Sequence, residues 1–234
     1  MLFEIEKSIF EHFPGMRIVT TVARNMQPTA DIEKISDDLY DAWQLAAAAS
    51  LEYGNAQSHP KIVPWGERMK AVGVPRKKFP SSIEALVRRA GKSSTPVSIS
   101  LLVDFYNSIS LRHLVPAGGY DIDALENDLQ LRFSRKGDRF LALDSDEAVM
   151  LPEGEISYAD GSEIITRHFV WKQSRHAILT PESKTVIFVS EILGELPEET
   201  AGQVANAFAK GLTQFFGIDP PVYILDIDKN SIEI

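Results

Sequence analysis

The chain has 234 residues, 44% of them apolar and 24% charged, which excludes intrinsic disorder and leaves room for one large domain or two small ones. It contains no cysteine, so disulfides, thiolate zinc sites, iron–sulfur clusters and cysteine nucleophiles are excluded together. The net charge of −9 argues against a general nucleic-acid binder, because phosphate binding is driven by cation release.

The opening Met1-Leu2-Phe3-Glu4-Ile5-Glu6-Lys7 carries acids where a signal peptide has a basic region. No apolar run approaches the roughly 18 residues of a membrane span, so a soluble, cytoplasmic protein with no membrane partner is expected. Phe3–Ile9 reads as a strand or helix and Met16–Ala23 as a β-rich stretch. Ser36-Asp37-Asp38 then caps a helix to about Glu52, with Leu39, Trp43, Ala46, Ala47 and Leu51 at helical spacing. Pro60 to Phe79 reads as a loop with a short helix near Glu67–Val72. Ser81-Ser82-Ile83-Glu84 predicts a capping box, Ile83, Leu86, Val87 and Ala90 a buried stripe, and Gly91 a left-handed exit. Val97–Leu114 predicts a second helix or a strand-to-helix passage, with Asp104 and Asn107 projecting from a common face. Pro116-Ala117-Gly118-Gly119-Tyr120-Asp121 reads as a sharp turn, followed by a short helix over Ile122–Glu126. From Leu129 the period becomes two: Leu129, Leu131 and Phe133 alternate with polar residues, and the chain turns at Lys136-Gly137-Asp138 and returns over Phe140–Leu143. Glu155–Ala159 and Glu163–Val170 flank Asp160-Gly161 as a hairpin, with Asp160 as a turn residue. Thr185–Ile192 and Val222–Ile227 are further strands, and Glu198–Phe216 is a helix ended by Gly217.

The expected class is α+β, a mixed or antiparallel β-sandwich-like core with helices at both ends. One domain over 1–234 is expected, with a core at 80–192, an N-terminal α/β part at 1–79 and a C-terminal helix and strand at 193–234. Charge is uneven along it. Residues 60–92 hold nine basic groups and only two acids, a pattern that marks either a local anion-binding face or a solvated loop and helix. Candidate RNA contacts are Arg76, Lys77, Lys78, Arg88 and Arg89.

Several familiar chemistries are absent. There is no Gly-x-Gly-x-x-Gly, no phosphate loop before Gly91-Lys92 and no Gly-x-Ser-x-Gly elbow. The five histidines lack His-Glu-x-x-His spacing, and Asp226-x-Asp228-x-Asn230 has Ser231 where a calcium loop needs glycine. No metal and no cofactor is expected. What is present is a set of polar, backbone and aromatic groups that could bind or orient a ligand. Backbone N–H groups at Gly118-Gly119 offer oxyanion donors, Asp104 and Asn107 can orient a water or an ammonium group, and Trp171 can stack on a ring. Each has a plainer alternative: a turn that needs two glycines, a polar cap, a core tryptophan.

A set of ordered motifs carries a resemblance. Ser82-x-x-Ala85-Leu86-x-x-Arg89, Val103-Asp104-x-x-Asn107-x-x-Ser110-Leu111, Gly118-Gly119-Tyr120-Asp121, Gly154-Glu155-x-x-Tyr158-Ala159-Asp160, Thr166-Arg167, Trp171-Lys172-Gln173-Ser174 and Thr180-x-Glu182 occur in sequence. Together they resemble the tRNA-binding and editing domain of the bacterial phenylalanyl-tRNA synthetase beta subunit, and more closely stand-alone proteins made of that domain. The resemblance covers about 80–192. It implies an aminoacyl ester on tRNA as substrate, tRNA or aminoacyl-tRNA as partner with no DNA expected, and a deacylase rather than a complete tRNA ligase. It places Asn107, Gly118, Gly119 and Gln173 in the catalytic positions, with Asp104, Tyr120, Arg167 and Trp171 as substrate-binding neighbours. Two positions depart from the synthetase: Gly118 stands where a histidine is common, and a glutamate that reads the amino acid's hydroxyl falls near Gln173. A non-catalytic tRNA-binding protein and an amino-acid-binding protein are the alternatives.

Overall fold

The structure, a computed structural model, describes residues 1–27 and 32–234. The chain opens with β1 (Leu2–Ile5), α1 (Lys7–His12) and β2 (Arg17–Ala23). A helical stretch follows: α2 (Ile32–Glu52), α3 (Val63–Ala71), α4 (Ser82–Ala90) and α5 (Leu101–His113). The strand-rich part holds β3 (Ala117–Asp121), β4 (Leu129–Phe133), β5 (Arg139–Phe140), β6 (Val149–Met150), β7 (Ile156–Asp160), β8 (Glu163–Arg167), β9 (Lys172–Gln173) and β10 (Val186–Ile192). Then come α6 (Thr200–Phe216), β11 (Val222–Leu225) and β12 (Ser231–Glu233).

The strands form two sheets. One runs β12-β1-β4-β7-β8-β5-β6, with β9 added to β8; in it β1 pairs parallel with β4 and β5 parallel with β8. The other, β11-β2-β10-β3, is antiparallel throughout. The sheets meet through aromatic and polar side chains: the Tyr120 and Tyr158 rings lie 5.4 Å apart, and the Tyr120 hydroxyl is 2.9 Å from Thr166 Oγ1. On the far side of the second sheet, Phe188 packs against Phe105 of α5 at 5.4 Å and Phe208 of α6 at 5.9 Å. All seven residues of β10 are buried, because it is covered on both faces. The architecture is α+β, as the sequence pattern predicts, and a continuous apolar core extends from Phe3 of β1 to Ile234.

Several elements differ from the sequence expectation. α2 begins at Ile32, a turn before the expected cap, because Ile35 extends the buried stripe of Leu39, Ala42 and Trp43. Ser81 Oγ accepts the Glu84 amide at 3.4 Å, but Glu84 does not close the capping box. Its carboxylate, only 1% exposed, instead accepts from Arg76 Nε at 2.6 Å and Gln57 Nε2 at 2.7 Å, since a buried charge requires a charged partner more than a cap does. Gly91 leaves α4 right-handed, at φ −68°. The segment 97–114 resolves into a helix from Leu101, capped by Ser100, whose hydroxyl accepts the Val103 amide at 3.4 Å.

The segment 116–121 is not a turn. Ala117–Asp121 is a strand in register with β10, and neither glycine has a positive φ. The helix expected after it is a single 3₁₀ turn, Ile122–Ala124, capped by Asp121. The return strand after Gly137 is shorter than expected and pairs with β6 and β8, not β4. Asp160 does more than begin a turn: it accepts from the amides of Glu126 and Asn127 and contacts His176 Nε2 at 2.7 Å.

Candidate functional site

Helical periodicity builds one wall of a cleft of about 230 Å³. Ser82, Ala85, Leu86 and Arg89 fall at i, i+3, i+4 and i+7 of α4, so one face presents all four to the cleft, while Ile83, Val87 and Ala90 turn to the core. Leu86, expected in the buried stripe, is half-buried against the cleft. α5 contributes Val103, Tyr106 and Asn107 by the same spacing. α4 is tied to the opposite wall through the Ser82 amide, which donates to the Val170 carbonyl at 2.7 Å.

β3 is an edge strand, and its alternation divides its residues between two faces. A Cβ at Gly118 would meet nothing within 4 Å, whereas one at Gly119 would lie 2.9 Å from Leu179 Cδ1 and 3.2 Å from Phe188 Cδ1. Gly118 therefore leaves space on the cleft side, and Gly119 permits close packing on the other. Along the strand edge, Gln173 Nε2 donates to the Gly119 carbonyl at 3.1 Å, and the Asp121 amide donates to Ala177 at 3.0 Å, both away from β10. A residue's own N–H and C=O leave an extended strand on the same side. The Gly119 N–H thus points off the open edge with its carbonyl. Of the two glycines, Gly119 supplies the outward donor and Gly118 the room.

Glu191 of β10 forms part of the floor. Its side chain is buried and accepts from the Tyr158 hydroxyl at 2.5 Å. Burial pushes its carboxyl up to about 7, against the opposing pull of the Tyr158 hydrogen bond. Burial likewise raises the Tyr120 and Tyr158 phenols well above their ordinary value. Glu191 was missed in the sequence because it stands in the apolar run Val186–Ile192; the signal was a carboxylate in a strand otherwise suited to full burial.

The sequence-derived candidates divide. Asn107, Gly118, Gly119, Gln173, Tyr120 and Trp171 all line this one cleft. The Asn107 side chain makes no hydrogen bond among the described residues. Asp104 does not line it: its carboxylate accepts from the Ser98 hydroxyl and from the Ile99 amide at 3.0 Å, fixing the segment before α5. Arg167 also stands back, bound to Glu155 through two nitrogens at 2.9 and 2.7 Å. Next to it His168 and Phe169 adopt left-handed backbone conformations, at φ 46° and 63°, and neither His168 ring nitrogen has a hydrogen-bond partner among the described residues. Burial foremost, and the charges of Arg167 and Lys78, push the His168 imidazole down to about 4 against the attraction of Glu155. Of the basic candidates, Arg76 is committed to Glu84, while Lys77, Lys78, Arg88 and Arg89 have no carboxylate partner among the described residues.

Among the described residues, no helix is long and apolar enough to cross a membrane and no cluster could hold a metal ion. No curated protein matches the chain. Among solved structures, an N-terminal fragment of the phenylalanyl-tRNA synthetase beta subunit from Pyrococcus horikoshii is similar at 8% identity and a TM-score of 0.46; the match covers 94% of this chain and 49% of that one, so the chain spans about half its length. The B3/4 domain pattern matches residues 65–201, a stretch that begins in α3 and takes in α4, α5, the glycine strand and β10, and so every wall of the cleft. With more than half of its length so matched, the chain belongs to the B3/4 domain family, in agreement with the resemblance to the synthetase beta subunit carried by its motifs.

Proposed function

We propose that the cleft binds the aminoacyl end of an aminoacyl-tRNA and hydrolyses a misplaced ester. The observation that carries this reading is the meeting of unpartnered Asn107, the outward edge of Gly119, Gln173 and buried Glu191 around one small cavity. An amino acid fits the volume, and the groups match its parts. Gln173, whose Nε2 is occupied by Gly119, keeps its carbonyl oxygen for an α-ammonium group. Asn107 holds a water. The Gly119 N–H faces the carbonyl oxygen, where negative charge develops as that water attacks. The acyl–oxygen bond breaks, and the proton lost by the water goes to the leaving ribose oxygen. Glu191, held by Tyr158, suits a hydroxyl on the bound side chain.

Exposed Lys77, Lys78, Arg88 and Arg89 supply the phosphate contacts, on a surface that is otherwise acidic. Arg76 is left out, because Glu84 already holds it. The test is a deacylation assay over a panel of mischarged tRNAs. Saturable release of one amino acid, preferentially a hydroxylated one, is expected. Salt-sensitive tRNA binding without release from any member of the panel would leave a binding module and remove the enzyme.

A further inference from the structure

At the side of the cleft formed by the residues after β8 lies a group of rings that an amino-acid pocket does not by itself require. Trp171 lines the cleft and is half-buried. Phe79 meets it edge-on, with centroids 4.6 Å apart and planes at 74°, and His168 lies 5.5 Å away at 47°. Phe79 and His168 are 3.9 Å apart and brace one another. Among the described residues no ring lies parallel on Trp171, so the neighbours fix its plane without occupying it in a stack.

The charges beside these rings are of two kinds. Arg167 and Lys172 each approach the Trp171 ring to 6.0 Å, but carboxylates already neutralise them: Glu155 at 2.7 Å and Asp144 at 2.8 Å. Lys78, 5.1 Å from the Phe79 ring, and Arg89, on the α4 wall of the cleft, have no carboxylate partner among the described residues. A fixed aromatic plane bordered by two uncompensated cations, on a chain of net charge −9, is complementary to a nucleobase joined to a phosphate. We infer that Trp171 stacks the terminal base of the esterified tRNA, while Lys78 and Arg89 hold the phosphate of that same nucleotide. The inference rests on the aminoacyl-tRNA reading above and adds a nucleotide subsite to it.

The probe is adenosine 5′-monophosphate, titrated by calorimetry and by tryptophan fluorescence, with adenosine and inorganic phosphate alongside. The monophosphate is expected to bind and to quench Trp171, and adenosine to bind more weakly. Trp171→Leu should weaken both by roughly 5- to 150-fold, the worth of one stacked base, while Trp171→Phe, which keeps a flat ring, should lose much less. Lys78→Gln with Arg89→Gln should bring the monophosphate down to the affinity of adenosine and abolish its salt dependence. Wild-type affinity for the monophosphate in Trp171→Leu overturns the inference. So does unchanged affinity in the double variant, whose surface changes leave folding intact and which decides the matter should Trp171→Leu not fold. Absence of monophosphate binding while a mischarged tRNA is still deacylated sinks the subsite alone. Monophosphate binding with no deacylation anywhere on the panel sinks the enzyme reading alone.

Discussion

Gly118 and Gly119 adjoin in sequence yet face opposite sides of β3, so their substitutions should separate function from stability. Gly118→Leu starts from a Cβ that meets nothing within 4 Å among the described residues, on the cleft side of the strand. It should fold with an unchanged urea midpoint and lose amino-acid binding. Gly119→Val drives a branched side chain into Leu179 and Phe188 and should cost about 1–3 kcal/mol in the same melt, the usual range for overpacking. Asn107→Ala removes a side chain that makes no hydrogen bond among the described residues, so stability should hold while the deacylation rate falls about 10²- to 10³-fold, as when one oriented donor is lost. Glu191 has its own signature. Its folded carboxyl titrates near 7 and its unfolded one near 4.5, so the fold favours the protonated form. That stability is fully present below about pH 4.5 and is lost as pH rises through 7. Chemical denaturation of Glu191→Gln at pH 5, 6 and 7 should therefore show the variant gaining on the parent with each step. His168 acts in the opposite sense: with its folded value near 4, its contribution is present above 6.5 and declines as pH falls through 4.

At the scale of elements, α4 shows what the sequence could and could not disclose. Its spacing and Ser81 cap were legible because both are local. Which face met the core and which the cleft was not, since Leu86 is apolar and suits either. The glycine strand was misread as a turn for a related reason: Gly-Gly permits a turn, and only the distant β10 makes it a strand. Asn107, Gly118, Gly119 and Gln173 could be named from their motifs; Glu191 could not, and Tyr158 stood in a motif without a role, because the significance of this pair arises from the contact between the two sheets. The basic segment divides on the same principle. Arg76 supports buried Glu84, so Arg76→Ala should destabilise by about 1–3 kcal/mol by leaving that carboxylate with only Gln57. Lys77→Gln and Arg88→Gln, both at exposed positions, should stay within about 0.5 kcal/mol in thermal melts and instead flatten the salt dependence of tRNA binding.

Over the whole molecule, both sheets are sewn from strands remote in sequence. Thr20 Oγ1 donates to the Phe188 carbonyl across 168 residues, and Asn230 Nδ2 to the Ile5 carbonyl across 225. Within 80–192 the same holds, since the Ser82 amide donates to the Val170 carbonyl and Phe105 packs on Phe188, and we propose on this ground that residues 80–192 cannot be parted into two folded pieces. Limited proteolysis between 115 and 130 should yield no fragment that keeps a cooperative melt of its own; two such fragments would refute the proposal. The same long connections bear on time. Loop closure must be met before either sheet gains its contacts, so acquisition of the native state should be slow compared with a helical protein of this length. The cleft takes its walls from Ser82 through Glu191, so no nascent chain that ends before Glu191 contains them all. During synthesis the helices can assemble early, but the site arises only when β10 docks beside β3, so competence for binding should appear in one late kinetic phase together with burial of the Phe188 ring.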